Sequence, residues 1–358
     1  MIGDGRHLAP TTLRRCAVGR RPGRYGEGVT APAEPTVADL GEDDLIASFV
    51  PLLPRGRTTL VPTGDDAAVI AAPDGRFCVS TDVLVEGHHF RLAWGTGADV
   101  GWRAAMQNLA DIAGMGAEPT SMVVSMVLPP ATPVSWLHDF CRGLSEACGP
   151  LGVGVDGGDL SAGEQLVVAV TVHGDLAGRD PVLRSGARPG DVVAHCGLLG
   201  HGAAGHALLA SGRRGGADEI LVRDFLRPRP PLAAGPAASR AGATAMMDVS
   251  DGLLRDAGRL ARRSGVVLTL DPPAASVPDA VAALAGVAAR LETDPTEWIL
   301  GGGEDHGMLA TFPAGTALPE GFTVLGRVAA PSAGRPAGTV LVGDAVPAVS
   351  PGWDHFRS

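Results

Sequence analysis

Acidic motifs in a chain without lysine narrow what this sequence can be. Six aspartates, from Asp66 to Asp251, stand in five short motifs. These are Thr63-Gly64-Asp65-Asp66-Ala67, Ser80-Thr81-Asp82, Asn108-Leu109-Ala110-Asp111, Gly157-Gly158-Asp159 and Asp248-Val249-Ser250-Asp251-Gly252. Carboxylates gathered in one cleft repel one another and need a counter-charge. Mg²⁺ supplies it, because it takes oxygen ligands and usually shares them with substrate phosphates. All 29 basic residues are arginine, which removes both the Walker A lysine and the protein-kinase strand lysine. A nucleotide bound here must be held by metal ions, arginine and backbone amides.

The composition suits a cytoplasmic enzyme. A formal charge of −10 and a pI near 5.4 argue against nucleic acid or an anionic membrane as the main partner. No apolar run is long enough to predict a spanning helix. Five cysteines without a Cys-x-x-Cys pair read as reduced thiols or small core residues. Residues 1–36 carry six arginines against Asp4, Glu27 and Glu34 and lack apolar periodicity, so a disordered tail is expected there.

Order is expected from Val37. Leu45, Ile46, Phe49, Leu52 and Leu53 recur at helical spacing. Strands are expected at Thr59–Val61, Ala67–Ala71, Phe77–Leu84, Ser121–Leu128 and Gln165–His173, with helices at 98–115 and Val134–Ala147. After a turn at Arg184–Asp191 the pattern restarts. Strands are expected at Asp191–His195, Ala245–Val249 and Val266–Leu270, and helices at Gly202–Leu209, Ala217–Leu226, Gly252–Arg263 and 279–290. A glycine turn enters a further strand over Gly301–Phe312. Such alternation predicts an α/β (α+β) architecture of two domains, 37–183 and 184–358, facing one cleft.

Each motif has a plain structural reading beside the functional one. Gly64-Asp65-Asp66 could be a simple turn. Ser80-Thr81-Asp82 is expected to end a strand, where ligands of α/β sheets gather. His88 and His89 should point to different faces of an extended segment, so at most one would enter a cleft. Asp111 is a poor interior helix residue unless exposed or functional. Gly157-Gly158-Asp159 could be a hairpin turn or a close approach to phosphate. Ser250 or Asp251 could cap the next helix, whose N-terminus also favours phosphate. Gly301-Gly302-Gly303-Glu304-Asp305 is either a flexible turn or a substrate loop.

In this order, from about Val37 to the C-terminus, the motifs resemble the thiamine-monophosphate kinase family. It belongs to the PurM-like superfamily, which includes aminoimidazole ribonucleotide synthetase. Further matching stretches are Asp82-Val83-Leu84-Val85-Glu86-Gly87, Met115-Gly116-Ala117, Arg184-Ser185-Gly186-Ala187 and Gly352-Trp353-Asp354-His355-Phe356. The resemblance implies Mg²⁺-dependent transfer of the ATP γ-phosphoryl group to thiamine phosphate, giving thiamine diphosphate and ADP. It implies several Mg²⁺ ions at Asp66, Ser80, Thr81, Asp82, Asp111, Asp159, Asp248 and Asp251, with Asp66, Asp111 and Asp251 nearest the chemistry. It implies ATP contacts at Gly158, Asp159, Arg184 and Ser250, and acceptor contacts at His89, Glu304 and Trp353. It also implies a homodimer whose N-terminal domains pair into a β-barrel.

The chain departs from the family pattern at Leu160-Ser161, where two threonines are usual, at His306-Gly307, where tyrosine-glutamate is usual, and at Asp43-Asp44. The alternatives are another ATP-dependent PurM-like enzyme of synthetase type, or a non-catalytic Mg-nucleotide binding protein. The first is disfavoured by the terminal motif and by the cysteine positions, the second by the intact carboxylates.

Overall fold

The computed structural model describes residues 34–64, 67–213 and 218–354. The arginine-rich segment 1–33 and Asp66 lie outside the described residues, as do His355 and Phe356 of the terminal motif.

The first half opens with α1 (Glu42–Phe49), ended by a 3-10 turn over Val50–Leu52. A two-stranded ribbon, β1 (Thr59–Val61) and β2 (Val69–Ile70), precedes β3 (Cys78–Val85). Then come α2 (Gly97–Gly114), β4 (Glu118–Leu128), α3 (Val134–Cys148), β5 (Gly154–Ala162) and β6 (Val167–Asp175). The four long strands form a sheet in the order β3-β6-β4-β5, antiparallel except for the parallel pair β4–β5. Burial alternates along β6, so one face packs on α2 and α3 while the other is open. On that open face Val79 and Val83 are exposed; Phe77 and, on the ribbon, Leu60, Val61 and Val69 are exposed as well.

Helix α2 begins with a capping box, in which Thr96 Oγ1 accepts from Asp99 N and the Asp99 carboxylate accepts from Thr96 N. Glycines let it lie almost on the backbone of α3. A Cβ at Gly101 would come within 2.1 Å of the Phe140 carbonyl, and one at Gly143 within 2.1 Å of the Ala98 carbonyl.

The second half contains β7 (Val192–Cys196), α4 (His201–Ser211), α5 (Glu219–Leu226), α6 (Ala234–Arg240), β8 (Ala245–Val249), α7 (Leu253–Ser264) and β9 (Val267–Leu270). It continues with α8 (Pro273–Ser276), α9 (Pro278–Arg290), α10 (Pro295–Gly301), β10 (Gly307–Phe312), β11 (Phe322–Ala329) and β12 (Val340–Val342). Its sheet order is β12-β9-β11-β7-β10-β8, antiparallel except for β12–β9. β8 and β10 are buried along their whole lengths, as near-continuous apolar runs covered on both faces should be. Asp248 is the one charge inside β8. The far side of α2 packs on β8, α5 and α6, so this helix is shared between the halves.

Three expectations are corrected. Ser80–Asp82 lie in the middle of β3, not at its end. Gly157-Gly158-Asp159 is strand, not turn, and a Cβ at Gly158 would meet the Val124 carbonyl at 2.0 Å. Gly301 ends α10, a helix the glycines hid, and Gly302 and Gly303 follow it.

The α2–α3 contact yields a test. Gly101→Leu should lower stability by about 1–3 kcal/mol or more through overpacking, read as a shifted urea midpoint. An unchanged midpoint would contradict the close approach.

Candidate active site

A cleft of about 670 Å³ runs along the free edge of β3, between the two halves. Thr81 and Asp82 of β3, His89, Gln107 of α2, Ser250 and Asp251 after β8, Glu304 and His306 before β10, and Trp353 all line it.

Behind its inner wall, at Asp82, Gln107 and His306, side chains from three elements converge. Alternation along β3 turns Ser80 and Asp82 toward α2. Ser80 Oγ donates to Asp111 Oδ2 at 2.7 Å, and Gln107 Nε2 donates to Asp82 Oδ2 at 3.3 Å. The C-terminus of α2 brings this group to β8, where a Cβ at Gly114 would lie 3.1 Å from Asp248 N. Burial, and then the fields of Asp248 and Asp82, push Asp111 up to about 7. Asp82 is raised as well, by burial first, with Asp248 and Glu304 adding to it. The local cation is His306, whose Nδ1 lies 3.2 Å from Asp248 Oδ2. Burial opposes a charge on this ring, but Asp248 and Glu304 outweigh it and carry its pKa to about 9.

The outer end is built from three segments far apart in sequence. Glu304 N donates to Ser250 O (2.8 Å), His306 N to Val249 O (3.0 Å) and Trp353 N to Asp251 O (2.9 Å). Glu304 and His306 both hold positive φ (73° and 53°), an uncommon conformation for residues with a Cβ that clusters at functional sites. Ser250 and Asp251 do not cap α7 through their side chains, which corrects the capping expectation. Instead Asp251 N donates to the buried Asp256, and the Asp251 carboxylate pairs with Arg259 at 2.6 Å. Asp305, the other acid of the glycine motif, accepts from Gly200 N and Gly202 N at the start of α4.

His89 Nδ1 accepts from Val85 N at 3.0 Å, so the neutral ring carries its proton on Nε2. Both His88 and His89 line the cleft. The segment is a turn closed on Val85 O, not an extended run, which is why the one-histidine expectation fails. Trp353 is 46% exposed, so its indole is not a core side chain.

Other expected residues are not brought here. Across the sheet the register runs Val83–Ala169–Ser125–Asp159, which places Asp159 three strands, or about 14 Å, from β3. Asp159 shares the open face with Ser125, whereas Asp82 faces α2. Thr63 lies beside Gly158 and Asp159 in a small apolar pocket at the other end of the sheet. Thr81 does line the cleft, but its Oγ1 donates to Val170 O at 2.8 Å. Arg184 is exposed and outside the cleft lining, in a segment bound to β8 through Met246 N and Leu183 O (3.2 Å). Gln107 and Arg103 are site neighbours that motif reading missed, although they sit four and eight residues before Asp111.

The donor chemistry fits Mg²⁺: carboxylates and a hydroxyl crowd together with too little positive charge. Among the described residues no three His, Cys, Asp or Glu side chains form a ready-made cage.

A stability test follows. Asp111 holds a proton in the folded state up to about pH 7, whereas an unfolded carboxyl releases it near ~3.9. The folded state therefore binds more protons in that window, and stability falls as pH rises through it. Without metal, Asp111→Asn should be more stable than the native chain at pH 8, by up to about 4 kcal/mol, by less at pH 5, and by little near pH 3, below the unfolded value. Equal urea midpoints at pH 8 would refute the crowding.

Two family models match the chain: AIR synthase related protein, N-terminal domain, over residues 64–176, and AIR synthase related protein, C-terminal domain, over residues 188–318. The chain is 46% identical over 302 residues to the thiamine-monophosphate kinase of Mycobacterium tuberculosis, a match spanning 83% of this chain and 88% of that protein. It is 40% identical over 331 residues to the thiamine-monophosphate kinase of Corynebacterium glutamicum, spanning 90% and 95% respectively. A solved structure of AaThiL complexed with AMPPCP and TMP superposes with a TM-score of 0.71 at 31% identity, over 82% of this chain and 91% of that one.

Proposed function

The chain belongs to the thiamine-monophosphate kinase family, and from that premise we propose how its own residues carry the ATP-dependent phosphorylation of thiamine phosphate to thiamine diphosphate. One observation carries the reading: Asp82, which joins a crowded carboxylate group with Asp111 and Asp248 behind it, lines the same cleft as the aromatic and polar side chains of Trp353, His89 and Glu304. The carboxylates suit phosphates with metal ions, the aromatic and polar side chains an aromatic acceptor.

At the inner end, Ser80, Asp82, Asp111 and Asp248 are the residues that would hold Mg²⁺. The metal would supply charge neutralisation of the phosphates and their alignment. Gln107 orients Asp82, and the Ser80 hydroxyl orients Asp111. Ser250 lines the cleft at the β8–α7 turn, where nucleotide phosphates would pass. In the transfer, the bond from the ATP γ-phosphorus to its bridging oxygen breaks. A new bond forms from the same phosphorus to a phosphate oxygen of the acceptor, and ADP leaves. No side chain need become phosphorylated, so positioning and electrostatics account for the catalysis.

At the outer end, Glu304, His89 and Trp353 receive thiamine phosphate. The acceptor carries a thiazolium cation, and an indole face attracts a desolvated cation by ~2 kcal/mol.

We also propose the homodimer. The open face of the N-terminal sheet exposes Val79 and Val83, with Phe77 beside them, and pairing two such faces into a barrel would bury them. Asp159 lies on this face, too far from Asp82 to share an ion within one chain. In the paired form it and Gly158 would serve the site of a second copy. Arg184, beside β8, would meet nucleotide phosphate there through its planar fork. The division of the chain at 183/184 follows the passage from one sheet to the other. No helix among the described residues is long and apolar enough to cross a membrane.

Incubation with MgATP and thiamine phosphate should yield thiamine diphosphate and ADP; AMP, or free phosphate without thiamine diphosphate, would overturn the assignment. Deleting residues 352–358 should raise the KM for thiamine phosphate and leave that for ATP nearly unchanged. If the truncated protein handles both substrates normally, Trp353 is not a recognition residue.

A further inference from the structure

Arg103 is a buried cation of α2, 2% exposed, behind the Glu304 side chain that lines the cleft. A guanidinium removed from water needs partners on every side. It pairs with Glu304 Oε2, donates to the Phe225 carbonyl, and lies over the Phe225 ring with its carbon 4.3 Å from the centroid. These contacts fix both the position and the plane of the group.

Its partner is differently placed. The Glu304 side chain keeps 38% exposure and lines the cleft, while its backbone is held at positive φ by the bond to Ser250 O. One carboxylate oxygen is thus engaged from behind and the other is left toward the cleft. Burial alone would favour the protonated acid, but Arg103 first, then His306 and His89, keep the pKa of Glu304 below its ordinary value. An ionised carboxylate accepts hydrogen bonds and donates none.

Arg103, Gln107 and Asp111 are spaced four apart, on one stripe of α2. Arg103 meets Glu304, Gln107 meets Asp82, and Asp111 meets Ser80. The stripe is about 12 Å long at 1.5 Å per residue, so one rigid helix sets the spacing between the two ends of the cleft.

We propose that Arg103 is a positioning residue for the acceptor. It aims the open oxygen of Glu304 at a hydrogen-bond donor of thiamine phosphate, such as the exocyclic amine of its pyrimidine. It also holds that oxygen in register with the phosphate end. This rests on the reading of Glu304 as an acceptor contact.

Steady-state kinetics with each substrate varied in turn test it, on the full chain carrying Arg103→Met, Arg103→Lys, Glu304→Gln or Arg103→Met with Glu304→Gln. Arg103→Met should raise the KM for thiamine phosphate about tenfold or more and leave that for ATP within about twofold. Arg103→Lys, with charge but no fork, should fall between Arg103→Met and the native enzyme. The double variant should be no worse than Glu304→Gln alone, because both changes remove one interaction. Equal rises in both KM values, or a lowered melting temperature with both KM values intact, would overturn the proposal. If Arg103→Met does not fold, Arg103→Lys decides: a raised acceptor KM alone supports the role, and a native one removes it. Glu304→Gln with a native acceptor KM would instead sink the reading of Glu304. A raised KM there with an unaffected Arg103→Met would sink only Arg103.

Discussion

The repulsion among Asp82, Asp111 and Asp248 is the constraint around which this molecule is arranged. Each carboxylate comes from a different element, and a chain with no lysine offers little within the group to offset them. Asp248 stands in a strand buried along its length, where an isolated carboxylate is costly to desolvate. His306 offsets part of that charge, and the rest is left for metal and phosphate. A fold that leaves such a group uncompensated gives up stability in the free protein for affinity in the loaded one.

Helix α2 makes the arrangement possible. Glycines on one side let it lie against α3, and on the other side its C-terminal end meets β8. It is therefore packed into both halves, and one rigid helix sets the spacing of Arg103, Gln107 and Asp111. Gln107 and Ser80 fix the orientation of two aspartates by hydrogen bonds that neither the metal nor the substrate has to supply. The outer end has the same character: backbone bonds tie the β8–α7 turn, the loop before β10 and the C-terminal segment into one wall.

Much of the fold was legible because its strands and helices follow simple periods. β8 falls at Ala245–Val249 and β1 at Thr59–Val61, as apolar runs bounded by polar residues suggest. What could not be seen has physical causes. β11 carries a bulge between Val324 and Gly326 that breaks its alternation, and α10 is started by Asp294 ahead of a proline and then obscured by the glycines that end it. The glycines of Gly157-Gly158-Asp159 read as a loop, yet Gly158 serves a close strand pairing. For the site, residue types and motif order pointed to the cleft through Asp82, His89, Ser250, Asp251, Glu304 and Trp353. Local spacing could not reveal that Asp159 stands at the far edge of the sheet, because register between strands is a property of the whole sheet. Arg103 and Gln107 escaped notice because helix residues of ordinary type carry no motif.

The central claim is that the Asp82–Asp111–Asp248 group is crowded enough to hold a proton that the metal-loaded phosphate site must expel. Calorimetric titration of Mg²⁺ with a non-hydrolysable ATP analogue, in buffers of different ionisation enthalpy, measures that proton directly. With Asp111 at about 7, loading at pH 7 should release roughly half a proton from this group, falling toward zero at pH 9 and absent in Asp111→Asn. Proton release identical in the native protein and Asp111→Asn at pH 7 would contradict the account.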